Sequence, residues 1–321
     1  MTHRFVNELT DHETVDEIYL ASNKQFRANR NGSHYLQIQL SDRTGSVTTM
    51  LWNANDKIYR SFDNGDFVRV EGAAQLYNGS MQVIANRIVR TEADSVNEAD
   101  FVTLSQNTIH TLRARLDEIL RGIQDFHLRS LAESFLIDET LMGEFCRAPA
   151  GVKIHHAFPG GLLDHVVNLL ELVISVAPKY PQINAELLLI GAFLHDIGKI
   201  RELQYDRDLA YSDEGQLLGH LVIGVEILDE KIQQSQEFSG EPFPDELALR
   251  IKHMILSHHG SYSYGSPRLP MTLEAVALHY LDSLDSKIHS FDQLIRDDVN
   301  IDSNWTVYHS NIERKLFKGC G

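Results

Sequence analysis

Eight ionisable side chains stand in, or at the ends of, segments that are otherwise apolar: His165, His195, Asp196, His220, His258, His259, Asp282 and Asp285. Burying an imidazole or a carboxylate without a partner is expensive, so such placements call for compensation. Taken singly, each residue also suits an ordinary role. A core histidine can simply find a hydrogen bond. His195-Asp196-Ile197-Gly198-Lys199 also reads as a helix C-terminus, with cations at the negative end of the dipole and Gly198 as cap. Taken together, one contribution from each successive helix is how bundle cores build metal sites. Mixed imidazole and carboxylate donors suit Mn, Fe, Co or Zn better than Ca or Mg. The donors exceed the needs of one ion, so two divalent ions are expected, with Asp196 as the bridge between them. Two ions roughly 3.5–4 Å apart activate water and stabilise both oxygens of an in-line phosphoryl displacement. Lys199, one helical turn beyond His195, is placed to meet a phosphate oxygen as a point charge.

The elements that must carry these residues follow from apolar patterning. The segment 185–200, AELLLIGAFLHDIGKI, is long and rich enough in Leu and Ala to be a buried helix. Helices are likewise expected over 107–126, 128–136, 141–146, 162–176 (with His165), 216–236 (with His220), 244–258 (ending at His258-His259) and 271–291 (with Asp282 and Asp285). A loop over 148–161 contains His155-His156 and Pro159-Gly160-Gly161, and loops on rigid scaffolds often carry function. His155 and His156 are candidates to face the substrate, or simple loop residues ahead of the next helix. Tyr262, Tyr264 and Arg268 follow His258-His259 and could cover a bound nucleotide, with Arg268 on phosphate; plain surface packing is the alternative.

Ahead of the helices the pattern changes. Strands are expected over 18–26, 33–40, 46–52, 67–73 and 80–89, with turns at 27–32, 42–45 and Asn78-Gly79 and a short helix over 54–62. Five strands with a helix between the third and fourth are the plan of an OB-fold barrel. Such barrels bind single-stranded nucleic acid through basic grooves and aromatic platforms. Phe26, Tyr35, Trp52, Phe67 and Tyr77 are the aromatics, with Arg27, Arg30 and Arg69 close by. Alternation predicts that most of the five fill the barrel and that roughly two remain as surface platforms.

The 321 residues thus divide into a barrel over 1–92, an acidic linker over 93–106 and an all-α bundle over 107–321. Net charge is −16, which argues against a polyanionic partner, yet residues 18–90 hold nine basic against five acidic residues. The two cysteines, Cys146 and Cys320, form no framework and fit a reducing compartment. The N-terminus lacks the plan of a signal peptide, and no apolar stretch is expected to span a bilayer, so a cytoplasmic location and no membrane partner are expected. An acidic two-domain chain is also compatible with a homo-oligomer.

The series H…HD…H…HH…D, with HDIGK at its centre, resembles the HD superfamily of metal-dependent phosphohydrolases. That resemblance implies metal ligation by His165, His195, Asp196, His220, His258 and Asp282, and a terminal aDxlD-like motif favours Asp282 over Asp285. The HHE and GYP signature of the cyclic-dinucleotide branch is absent, as is the HDxxED pattern of the alarmone hydrolases. HHAFPGGLLDH (155–165), LLGHLVIG (217–224), IKHMILSHHG (251–260), GSPRLPMTLEAVALHYLDSLDSK (265–287) and the opening RFVNEL (4–9) are similar to blocks of the bacterial YhaM-type 3′→5′ exoribonucleases. This resemblance implies Mn²⁺-dependent removal of nucleotides from the 3′ end of single-stranded RNA, with single-stranded DNA as a second candidate. Two other readings stay open: an HD phosphodiesterase or nucleotidase acting on small nucleotides, and a non-catalytic OB-fold RNA-binding protein.

Overall fold

The computed structural model describes residues 3–29, 32–77, 80–92, 96–97, 100–101, 104–151, 158–205, 210–296, 298, 300 and 303–319. The chain forms two compact units, one of 1–103, 206–209 and 291–321, the other of 104–205 and 210–290.

In the first unit, β1 (Thr14–Ala28), β2 (His34–Asp42), β3 (Gly45–Trp52), β4 (Phe67–Tyr77) and β5 (Ser80–Thr91) close into a barrel in the order β1-β2-β3-β5-β4. The short helix α1 (Asp56–Tyr59) lies between β3 and β4, capped by the Asn55 side chain on the Ile58 N–H. The ladders are antiparallel except β3 with β5, which is parallel and completes the closure. Strict alternation in β2 sends Leu36, Ile38 and Leu40 inward. They meet Val47, Leu51, Val68, Val70 and Val83, and the aromatic filling comes from Tyr19 and Phe62.

None of the five aromatics singled out above fills the interior, which corrects that expectation. Tyr35 and Trp52 fall on the outward parity of β2 and β3, Tyr77 is exposed, and Phe26 and Phe67 pack at the periphery. The turn at Asn78-Gly79 lies outside the described residues, as do Arg30, Asn31 and Cys320. Asp100 and Phe101, expected as linker, lie against the barrel. The Arg43 N–H donates to the Asp100 carbonyl (2.9 Å), and Phe101 packs edge-on against Phe67. Residues 291–321 also group with the barrel rather than with the helices, and Arg296 shares a cavity with Asn7, Arg43 and Thr44.

The second unit holds α2 (Gln106–Arg121), α3 (Phe126–Leu136), α4 (Glu139–Arg147), α5 (Gly161–Val176), α6 (Ala185–Leu194), α7 (Lys199–Glu202), α8 (Asp213–Ser239), α9 (Asp245–Ser257) and most of α10 (Leu273–Arg296). Side-chain caps start several of them: Ser105 for α2, Asp125 for α3, Asp138 for α4, Asn184 for α6 and Ser212 for α8. α5 and α6 form the centre. Leu187, Leu188, Ile190, Phe193 and Leu194 are buried, and each contributes roughly 1.5–3 kcal/mol by leaving water.

One expectation changes at α5. The helix and its 3₁₀ extension, Gly161–Lys179, are long and apolar enough to cross a membrane by length and composition, because the turn carries on past Val176. More than half of that segment is buried inside the protein, and a core helix passes the same test.

Candidate metal centre and active site

α6 ends at Leu194, and the chain turns tightly through His195-Asp196-Ile197-Gly198 before α7 begins. This turn presses on α8. A Cβ at Gly198 would lie 2.1 Å from the His220 carbonyl oxygen and 2.8 Å from the Gly224 nitrogen, so only glycine permits the approach. α8 in turn breaks at Gly219, whose φ of 73° and ψ of 156° no β-bearing residue adopts readily. The expected helix over 216–236 is therefore longer, beginning at Asp213, and it is kinked immediately before His220.

These two devices, with α5, α9 and α10, bring the expected residues together. His165 Nε2 stands 3.3 Å from His195 Nε2 and 3.4 Å from Asp282 Oδ1. His220 Nε2 stands 3.2 Å from His259 Nε2, and His258 joins them. Asp196 lies between the two groups: Oδ2 is 3.3 Å from His195 Nε2, and Oδ1 is 3.6 Å from both His220 Nε2 and His258 Nε2. A cavity of about 320 Å³ opens onto Asp196, Lys199, Glu202, Tyr211, His220, His258, His259, Asp282 and Ser286.

Every imidazole is turned the same way. The Nδ1 of His195, His258 and His259 lies 2.8 Å from the carbonyl oxygens of Ala192, Ile255 and Tyr264. A carbonyl only accepts, so each Nδ1 carries the proton and each Nε2 is left for the other donors of the site. His165 Nδ1 donates to Asp285 Oδ2 (2.7 Å) and His220 Nδ1 to Glu202 Oε1 (2.9 Å). Asp285 also accepts from the Asn168 amide. Asp285 thus stands behind His165, while His259 belongs to the inner ring of donors.

The electrostatics favour cations. Burial opposes ionisation of Asp196, but the Lys199 charge and the neighbouring imidazoles hold its carboxyl well below the usual range. Burial likewise opposes charge on Asp282, and His165 and His195 hold it low. Burial pushes His258 down, helped by His195, and pushes His259 down with help from His220, leaving both neutral with a lone pair. His165 is the exception. Burial works against its protonation, yet Asp282 and Asp285 push it up to about 9, so a proton sits where a cation would.

The residues fit a divalent ion on one further ground. Asp196 Oδ1 is buried and has no hydrogen-bond partner among the described residues. Such an atom costs about 1–3 kcal/mol or more unless something positive meets it. Three donor groups have their ligand atoms within 4.8 Å of one another: His165, His195 and Asp282; His195, Asp196 and His258; and His220, His258 and His259.

Other expected residues are placed differently. The Lys199 ammonium donates to Asp196 Oδ2 and to the Ala150 carbonyl, both at 2.6 Å, so two of its three protons are committed within the protein. Arg268 is exposed and does not line the cavity, its carbonyl accepting from Ser266. Tyr264 contributes its carbonyl to His259, and its ring, like that of Tyr262, is exposed. His155 and His156 lie outside the described residues.

On the barrel, Tyr35 and Trp52 are cross-strand partners with ring centres 5.2 Å apart, and Trp52 is 48% exposed. Phe26 has its faces taken by His34 and Tyr59. Arg27 is exposed and donates to Gln25. Arg69 forms a two-pronged pair with Asp16 (2.7 and 2.9 Å), and Arg87 and Arg90 pair with Glu71 and Asp66. The basic excess is therefore partly spent inside the barrel unit.

The family model of the HD domain matches residues 162–287, and that of the OB-fold nucleic acid binding domain matches residues 21–90. Fold and site together define a metal-dependent hydrolase of the HD class joined to an OB-fold. The 3′-5′ exoribonuclease YhaM of Bacillus subtilis is 32% identical over 284 residues, covering 88% of each chain. That of Geobacillus sp. is 33% identical over 284 residues, 88% of this chain and 85% of the relative, and that of Listeria monocytogenes is 30% identical over 285 residues, 88% of each. The chain belongs to the YhaM 3′-5′ exoribonuclease family.

Proposed function

We infer that this protein removes nucleotides from the 3′ end of single-stranded RNA, with divalent ions held by His165, His195, Asp196, His220, His258, His259 and Asp282. The observation that carries the reading is the unpartnered Asp196 Oδ1 amid imidazoles that all present Nε2. Two groups of donors meeting at one carboxylate favour two ions, and the imidazole-rich set favours Mn²⁺ or a similar transition metal over Mg²⁺. Bound there, such ions supply Lewis-acid polarisation of a phosphoryl oxygen and a nucleophilic water near neutral pH.

The chain's own residues supply position and charge. Lys199 balances Asp196 and keeps one N–H for a phosphate oxygen of the strand. Ser286 donates to Asp282 Oδ1 (3.3 Å) and holds that carboxylate at the cavity. Tyr35 and Trp52 offer adjoining ring surfaces on which successive bases stack, a contact indifferent to sequence and roughly 1–3 kcal/mol per base. Stacking does not read the 2′-hydroxyl, so single-stranded DNA is a second substrate to be compared directly.

The test is digestion of a 5′-labelled single-stranded RNA with Mn²⁺. The expected result is a ladder that shortens from the 3′ end, absent with Asp196→Asn. Cleavage of mononucleotides or cyclic dinucleotides without any RNA ladder would instead support a small-nucleotide phosphodiesterase.

A further inference from the structure

Two of the five inward-facing imidazoles differ from the rest in what stands behind them. Three rest on backbone carbonyls, whereas His165 rests on the Asp285 carboxylate and His220 on the Glu202 carboxylate. These two histidines belong to opposite donor groups, His165 with His195 and Asp282, His220 with His258 and His259. Each group therefore contains one imidazole whose Nδ1 is held by a carboxylate.

Glu202 does more than face a ring. Its Oε1 accepts from the His220 backbone N–H and from His220 Nδ1, each at 2.9 Å. The backbone bond exists because the helix breaks at Gly219, which leaves the next N–H outside the helical ladder. One carboxylate oxygen thus fixes both the backbone and the ring of one residue. Glu202 itself is buried, and its own N–H donates to the Gly198 carbonyl (2.9 Å), at the end of the turn that carries Asp196. The position of His220 is by this route tied to that of Asp196.

We propose that Glu202 is the positioning residue for the ion held by His220, His258 and His259, as Asp285 is for the ion held by His165, His195 and Asp282. The proposal rests on the two-ion reading of the site. An outer carboxylate orients its imidazole, fixes the tautomer and raises its basicity, and loss of such a partner lowers metal affinity by about 10–100-fold.

The experiment is equilibrium dialysis of the full-length protein against Mn²⁺, with bound metal counted per chain. Wild-type protein is expected to bind two ions. Glu202→Gln, which keeps the acceptor but not its charge, is expected to weaken one ion by about 10–100-fold and leave the other unchanged. Asp285→Asn should weaken the other ion. In a His220→Ala background, Glu202→Gln should add no further loss, because its effect runs through that ring. A melting curve in chelator shows whether each variant is folded, and Glu202→Asp serves in its place if the Gln variant is not. Equal weakening of both ions by Glu202→Gln, no weakening of either, or a loss that persists fully in the His220→Ala background would each overturn the proposal. A wild-type protein that takes up fewer than two ions would remove the two-ion reading itself, and the assignment of Glu202 with it.

Discussion

On the barrel, Trp52 is 48% exposed and its ring contact is with Tyr35, its neighbour across the β2–β3 ladder. In the helical unit, His165 is 1% exposed and lies against Asp285 and Asp282 of α10 and His195 of the turn after α6. The barrel closes over a hydrophobic interior and turns Tyr35 and Trp52 to the outward parity of its strands. The helical unit has its reactive groups inside the same core that stabilises it, so each must be satisfied by another. Outward residues of the barrel can therefore be altered with little effect on folding, whereas each change in the inner site also bears on stability.

The largest effect should come from Asp196→Asn. It is expected to abolish Mn²⁺-dependent RNA digestion, a loss of at least about 10³-fold given its place between both donor groups. It should also destabilise the helical unit by about 3–5 kcal/mol, because Lys199 would be left as a buried charge without its partner. Thermal melting of the double variant Asp196→Asn/Lys199→Met should recover much of that stability while activity stays absent. Recovery of both would mean that the coupling drawn here between chemistry and core is wrong.

Chelation comes next. Ions bound to the folded form alone should stabilise it by about 2.7 kcal/mol at a hundredfold excess over Kd, so EDTA should lower the helical melting transition and leave the barrel transition in place. Calorimetry with and without chelator reads both. A barrel transition that falls equally would break the contrast.

Tyr35→Ala and Trp52→Ala should each weaken binding of a long single-stranded RNA by about 5–150-fold, as expected for loss of one stacked base. Stability should change by no more than about 0.5 kcal/mol. Cleavage of a short oligonucleotide that cannot reach the barrel should keep its kcat, a split that steady-state kinetics on the two lengths reveals.

The smallest effect concerns Glu13. Its hydrogen bonds with Arg4 hold its carboxyl down at about 2, below the 4.5 of an ordinary glutamate. A depressed folded-state value means the pair stabilises the barrel above about pH 4.5 and that the contribution disappears as pH falls through about 2. Both side chains meet solvent, so Glu13→Gln should cost no more than about 0.5 kcal/mol at neutral pH and nothing near pH 2, by acid and neutral denaturant melts.

Most of the inner ring was legible in the sequence because His195-Asp196 interrupts an apolar run and the other donors recur on successive helices. Chain order alone does not show that Glu202 supports His220. Glu202 falls just past the apolar segment 185–200, and its burial follows from the approach that Gly198 permits. Asp285 was visible as a candidate, but its distance of 120 residues from His165 hid which side of the ring it occupies. The sequence places Lys199 where it can meet phosphate, but its bond to the Ala150 carbonyl depends on a loop whose path the sequence does not specify. On the barrel, strand parity identifies Tyr35 as outward once Leu36, Ile38 and Leu40 are inward. Phe26 follows a register shift between Ser22 and Gln25 in β1, and a bulge of that kind erases the parity on which such a reading depends.

The salt bridge between Lys199 and Asp196 has a consequence for how the enzyme lives with scarce metal. Small metallodomains commonly unfold when their ion is withdrawn. Here a resident ammonium already answers the central carboxylate, and the ring nitrogens that point away from the cavity are held by protein acceptors. One oxygen of that carboxylate is therefore compensated within the protein, and the other, Oδ1, is left for an ion to meet.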